Sequence, residues 1–207
     1  MTATATPARL PTELRRAEIV AAAIALAAQR SPSAITTTDL ARALGLTQGA
    51  LFKHFPTKEA VWLAVADWTA ETLLPLLERA QAAEASPLAG LRAVFLAHMR
   101  FIAAHPGVPR IVFHVLQHEA ESPPRERMRR MLQAYRRLVE QGVARAIEAG
   151  EAAPELDREA AAMLFIGAVQ GLVMQSLVAG RAPSRGEPAE RVIDTLLRAL
   201  RANGGQP

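Results

Sequence analysis

Apolar residues return every three or four positions along most of this chain, the period of a helix with one buried face. The first stripe, Ala17, Val20, Ala21, Ile24 and Ala28, predicts a helix from Thr12 to Gln29, with Thr12 as its N-cap and Ser31-Pro32-Ser33 as its break. Three short elements follow. Thr36 caps a second helix, with Asp39 as capping-box partner, and Gly45 ends it by taking the left-handed conformation. Thr47 caps a third helix, flanked by Leu46 and Leu51 at the two hydrophobic-staple positions. Pro56-Thr57 closes that helix and caps a fourth, expected from Lys58 to about Ala85.

Beyond Ser86-Pro87 the helical period continues. Helices are expected over about 87–104, 108–121, 124–149, 157–179 and 188–202, with His105-Pro106-Gly107, Ser122-Pro123-Pro124, Gly150 and the stretch 180–187 as breaks. Arg110–Val115 has strand propensity, but no second strand is available to pair with it, so it is assigned to a helix. The resulting fold class is all-α: about nine helices, divided at residue 57 into an N-terminal three-helix unit and a larger C-terminal unit over 58–207. Residues 1–11 are expected to form a loose arm.

Two segments imitate export or membrane signals. Arg15 and Arg16 precede the run 20–28, but Glu18 and the helical spacing favour an ordinary amphipathic helix. Residues 160–180 form an uncharged run of 21 residues, long enough for a bilayer. It contains Gln170, Gln175 and Ser176, and a helix apolar on every side is also what a core or subunit interface requires. The chain is read as a soluble, cytoplasmic protein with no membrane partner.

Composition removes several chemistries. Alanine accounts for 43 of the 207 residues and aromatics for nine, which favours helix over sheet. There is no cysteine, hence no thiolate metal site, disulfide or thiol nucleophile. No HExxH, GxSxG, phosphate-cradling glycine loop or Glu-x-x-His pattern occurs, so an enzyme is not expected. His114 and His118 are i, i+4 on one helix, but no third ligand has suitable spacing; neither metal nor cofactor is expected. The net charge of +4 is unevenly placed: residues 1–60 carry seven basic and four acidic groups, and 61–207 carry seventeen and sixteen. The excess therefore sits with the three short helices and includes both lysines, Lys53 and Lys58.

The four-residue reversal Leu44-Gly45-Leu46-Thr47 between short helices describes a helix-turn-helix. Ala41 is small where the helices cross, and Leu40, Leu44, Leu46 and Leu51 face inward. Thr47, Gln48, Gly49, Phe52 and Lys53 are left on the outer face of the third helix. A recognition helix presents its N-terminal residues to base edges, where glutamine pairs with adenine, and Gly49 lets backbone approach DNA closely.

Residues 36–62, TTTDLARALGLTQGALFKHFPTKEAVW, resemble the DNA-binding signature of the TetR-family transcriptional regulators. The likeness rests on Leu40-Ala41, Gly45, the Leu51/His54-Phe55 block and the Thr57-Lys58-Glu59 restart. It implies phosphate contacts by Thr36, Thr37, His54 and Lys58, with Thr38 near base edges and Thr47, Gln48 and Gly49 reading the groove. Phe52 departs from the tyrosine usual in the family, which removes a hydroxyl–phosphate contact that Lys53 is placed to replace.

The resemblance also implies a homodimer on a pseudo-palindromic DNA operator, most often as a repressor, with a small-molecule effector bound in the C-terminal unit. The apolar composition favours an apolar or amphipathic effector. The residues expected to line its pocket are Phe95, Met99, Phe113, His114, Met131, Tyr135, Phe165, Gln170 and Met174. Gly167, Ala168, Gly171 and Leu172, together with Val192 and Leu196, are expected at the dimer interface, because small residues four apart let helices approach closely. An architectural DNA binder without an effector is the alternative, distinguished by whether the C-terminal core holds a ligand-sized cavity. An all-helical enzyme or carrier is the remote one.

Overall fold

The computed structural model describes residues 11–117, 120–180 and 186–201. Among these the chain forms nine α-helices: α1 (Thr12–Gln29), α2 (Thr37–Ala43), α3 (Gln48–Phe52), α4 (Lys58–Ala82), α5 (Pro87–Ala104), α6 (Gly107–Gln117), α7 (Pro123–Glu148), α8 (Arg158–Val178) and α9 (Glu187–Leu200). A 3-10 turn, Pro32–Ala34, occupies what reads in sequence as a plain break. No strand is present among the described residues, only one isolated bridge between Ala152 and Arg201.

The local signals around the short helices are realised atom by atom. Thr36 Oγ1 accepts from the Asp39 amide at 3.1 Å while Asp39 Oδ2 accepts from the Thr36 amide at 2.9 Å, the reciprocal capping box. Thr47 and Thr57 accept from Ala50 and Ala60 in the same way. Gly45 has φ 64°, a conformation costly for any residue with a Cβ. Asp157 caps α8 with bonds to the amides of Glu159 and Ala160. One cap differs from expectation: Pro11 holds the N-cap position of α1 and Thr12 is the first helical residue, with no side-chain cap bond. Helix α4 also stops earlier than its apolar pattern suggests, at Ala82, while the expected end of α6 near residue 121 follows residues 118 and 119, which lie outside the described ones.

α1, α2 and α3 close around Ile19, Ala23, Leu40, Leu51 and Phe55, all buried. The same core continues into the C-terminal helices, where α4 packs along α5 and α7, α7 along α8, and α9 against α5 and α8. Two elements bridge the units. α4 runs 25 residues from the end of the helix-turn-helix into the bundle, with Pro75 deleting one i→i−4 hydrogen bond on the way. α6 lies across α1 and the 3-10 turn. Gly107, at its start, allows no side chain: a Cβ there would stand 1.9 Å from the Ile24 carbonyl oxygen.

By length and composition α4, α5 and α8 are each apolar enough to cross a membrane. In α4 and α5, 44% and 50% of the apolar window is buried inside the protomer, against 28% in α8. The uncharged run 160–180 thus has one face in the core and one face without a partner.

Candidate nucleic-acid interface

The second helix-turn-helix element, α3, is only five residues long and presents Thr47, Gln48, Gly49, Phe52 and Lys53 to solvent. Thr36 and Thr38 are exposed at the start of α2, and Thr37 is half-buried between them. Gln48 Nε2 donates to Thr37 Oγ1 at 2.9 Å, which joins the N-terminal ends of the two helices. A Cβ on Gly49 would meet nothing within 4 Å, so the fold itself does not require glycine there.

Two further groups stand at the edge of this surface. Lys58, in the first turn of α4, donates to the Ser33 carbonyl at 3.1 Å and lies 5.8 Å from the Trp62 ring centroid. Partial burial lowers its pKa, while the Asp39 carboxylate works in the opposite direction. His54 is half-buried, with Nδ1 enclosed and without a hydrogen-bond partner. A residue that the motif does not contain holds this corner together. Arg16 of α1 donates to the His54 carbonyl at 2.7 Å and sets its guanidinium 4.2 Å from the Phe55 ring centroid. The signal for it was present: Arg16 lies in line with Val20, Ala23 and Ala27, a cation on an otherwise apolar stripe.

In the C-terminal unit, α4, α5, α6, α7 and α8 enclose a cavity of ≈ 90 Å³. Of the residues expected at a pocket, Phe113, Met131, Tyr135 and Gln170 line it. The other five do not. Phe95 and Phe165 are spent on each other, their rings edge to face at 5.3 Å in the core, and Met99 is buried in the core as well. His114 lines a separate cleft with Lys58, Trp62 and Pro124. Met174 points away, exposed on the outer face of α8. His118 lies outside the described residues, and no group of three metal-ligating side chains occurs among the described ones.

The principal polar feature of the cavity pairs the expected Tyr135 with His98, which the sequence reading passed over. His98 Nδ1 and the Tyr135 hydroxyl share a hydrogen bond of 3.1 Å, with the rings edge to face. Burial pushes the His98 pKa down to about 4 and the Tyr135 pKa well above its usual value. The imidazole is therefore neutral at pH 7, and among the described residues no charged side chain lines the cavity. A lone histidine in the apolar stripe Val94, His98, Phe101, Ile102 was the available sign.

On the opposite side of α8, Met163, Leu164, Gly167, Gly171, Met174 and Val178 form one exposed apolar stripe, with Val178 78% and Met163 62% accessible. A Cβ at either glycine would touch nothing within 4 Å. Ala168, Leu172, Val192 and Leu196 are half-buried beside it.

The family model for bacterial regulatory proteins of the TetR family matches residues 19–65. That for the tetracyclin repressor-like C-terminal domain matches residues 87–195. The chain belongs to the TetR family. As a TetR-family protein it is a DNA-binding transcriptional regulator, of a family that binds operator DNA as dimers. It is 31% identical over 160 residues to the nucleoid occlusion factor SlmA of Vibrio campbellii, covering 76% of this chain and 81% of that protein. A TetR transcriptional regulator from Chloroflexus aurantiacus superposes with TM-score 0.75 at 26% identity, over 92% of this chain and 98% of its own. The regulator FadR from Bacillus subtilis, solved in complex with stearoyl-CoA, shares the fold at TM-score 0.73 and 17% identity, over 90% and 97%. The TetR-type helix-turn-helix thus covers α1 to α3 and the start of α4, and the bare face of α8 and the cavity walls given by α5 to α8 lie in the second matched region.

Proposed function

We propose that this protein is a cytoplasmic, ligand-responsive repressor that binds a pseudo-palindromic operator as a homodimer. Thr38, Thr47, Gln48 and Gly49 face base edges in the major groove, Thr36, Thr37, His54 and Lys58 hold phosphates, and Phe52 and Lys53 flank the recognition helix. The observation that carries this reading is the exposed α3 surface around a glycine that the fold does not need. Glycine in a helix costs up to about 1 kcal/mol relative to alanine, and close approach to DNA is the compensating reason for it.

Dimerisation uses the bare stripe of α8, with Gly167 and Gly171 allowing close approach and Ala168, Leu172, Val192 and Leu196 at its margin. Two copies packed on this stripe place two recognition helices on one side of the duplex, about 34–36 Å or a multiple of that apart. The effector is a small, uncharged apolar or amphipathic molecule held among Phe113, Met131, Tyr135 and Gln170, with the neutral His98–Tyr135 pair meeting one hydroxyl or carbonyl group. Because α6 both walls the cavity and rests on α1, expansion of the cavity shifts the helix-turn-helix. A ligand acts in this way only by binding the conformation unable to bind operator more tightly.

A second reading has its own support. The cavity is smaller than the roughly 300–1,000 Å³ of ordinary ligand pockets, and SlmA is named for nucleoid occlusion. A DNA binder without an effector fits both observations. Band shifts at several salt concentrations test the common core of the two readings. Lys58→Ala is expected to weaken binding to all sequences and flatten the salt dependence by about one unit of slope. An unchanged slope removes Lys58 from the interface. Titration of the wild-type complex with uncharged amphiphiles then separates the readings: release of DNA supports the effector, and persistent binding across the series supports the alternative.

A further inference from the structure

The four side chains at the starts of α2 and α3 divide into two kinds. Thr36 and Thr47 are N-caps, and their hydroxyl oxygens are committed to the amides of Asp39 and Ala50. Thr37 and Gln48 are the first helical residues, have no capping duty, and are bonded to each other at 2.9 Å with the amide nitrogen as donor.

This bond changes what Gln48 can offer. A free glutamine amide carries two N–H donors and one carbonyl acceptor. With one N–H given to Thr37, a single N–H and the Oε1 carbonyl remain. That donor–acceptor pair complements adenine, which presents an N7 acceptor beside an N6 donor in the major groove. It does not complement guanine, whose N7 and O6 are both acceptors and require two donors. The bond also fixes a side chain with three rotatable torsions before DNA arrives, so less conformational entropy is lost on binding.

We propose that Thr37 is a positioning residue for base selection: by holding one N–H of Gln48 it makes α3 choose adenine over guanine at one base pair in each half-site. This rests on the reading of Gln48 as a base contact and assigns the reason for its selectivity to a residue of the preceding helix.

The test is selection of binding sites from a randomised duplex pool by the full-length protein and its Gln48→Ala, Thr37→Val and Thr37→Ser variants, followed by titrations of matched operators. Gln48→Ala identifies the position that depends on Gln48. There, exchanging A·T for G·C is expected to cost the wild type about 5- to 150-fold in affinity. Thr37→Val, which keeps shape and loses the hydroxyl, is expected to reduce that ratio at least about threefold and leave preferences at other positions unchanged, because the freed amide can rotate and turn an N–H toward N7 or O6 of guanine instead of holding the adenine-matched orientation. Thr37→Ser is expected to restore the ratio.

A Thr37→Val protein that binds all sequences equally more weakly, with the ratio intact, leaves Thr37 with its phosphate contact alone and overturns the proposal. So does wild-type selection of guanine at that position. A Gln48→Ala protein with unchanged preferences everywhere removes Gln48 from the reading set and the proposal with it, while the helix-turn-helix reading stands. Enrichment of no sequence by the wild type overturns sequence-specific reading itself.

Discussion

The helix-turn-helix and helix α8 are both short segments with a function to serve, and they are specified in opposite ways. In the first, almost every decisive feature is a local one: Thr36, Thr47 and Thr57 cap helices a few residues away, and Gly45 turns the chain with its own backbone. The exposed side chains are the ones left over after these local duties. In α8 local rules assign nothing, since its apolar residues surround the helix. Its Ala161, Phe165, Val169 and Val173 are buried while Leu164, Met174 and Val178 are bare, and only packing against α5, α7 and α9 distinguishes them. Locally specified surfaces tolerate change in the bundle, whereas packing-specified ones depend on every neighbour.

The largest expected effect lies on the packing-specified side. Leu164→Glu places a carboxylate on the bare stripe, twice per dimer, and burying an unpaired charge costs several kcal/mol. Sedimentation should show monomers at concentrations where the wild type is dimeric, with helicity and thermal melting of the protomer little changed. An unaltered dimer would move the interface elsewhere. Gly107→Ala comes next. Its Cβ meets the Ile24 carbonyl, so α6 must lift from α1, at about 1–3 kcal/mol for such overpacking. Urea denaturation measures the loss. Full stability with normal operator binding would show that the two units are not coupled through this contact.

His98 gives a pH-dependent comparison. Its folded pKa of about 4 lies below the ordinary 6.5, so the unfolded chain takes up the proton first on acidification. This contribution is fully present above pH 6.5 and is lost as the pH falls toward 4, by up to about 3 kcal/mol. His98→Gln should flatten that part of the stability–pH curve, and an equally steep variant would assign the slope to other groups. The smallest effect belongs to the locally specified side. Gly49→Ala should raise protomer stability by up to about 1 kcal/mol and weaken operator binding. A gain in both would show that DNA does not approach the backbone there.

Much of the candidate interface was legible in advance because capping, turning and alternation act over three or four residues. The cavity was only partly legible. Phe113, Met131, Tyr135 and Gln170 line it, but Phe95, Met99 and Phe165 carry the same apolar signal and fill solid core instead. The histidine in the cavity is His98 and not His114: both lie among apolar residues on helices, and the apolar stripe around His98 is the one sign that separates them. Met174 and Phe165 lie on the same uncharged run, 160–180, one outside and one inside.

By itself the sequence determined the helices, the caps of α2, α3 and α4, the reversal at Gly45 and the residues left exposed on α3. These follow from hydrogen bonds and sterics between near neighbours. Only the tertiary structure decided that Arg16 clamps the end of α3, that Thr37 holds Gln48, that α6 touches both the cavity and α1, and which side of α8 stays bare. Each of those joins side chains from different elements, and a helical period reports which residues share a face without reporting what that face meets.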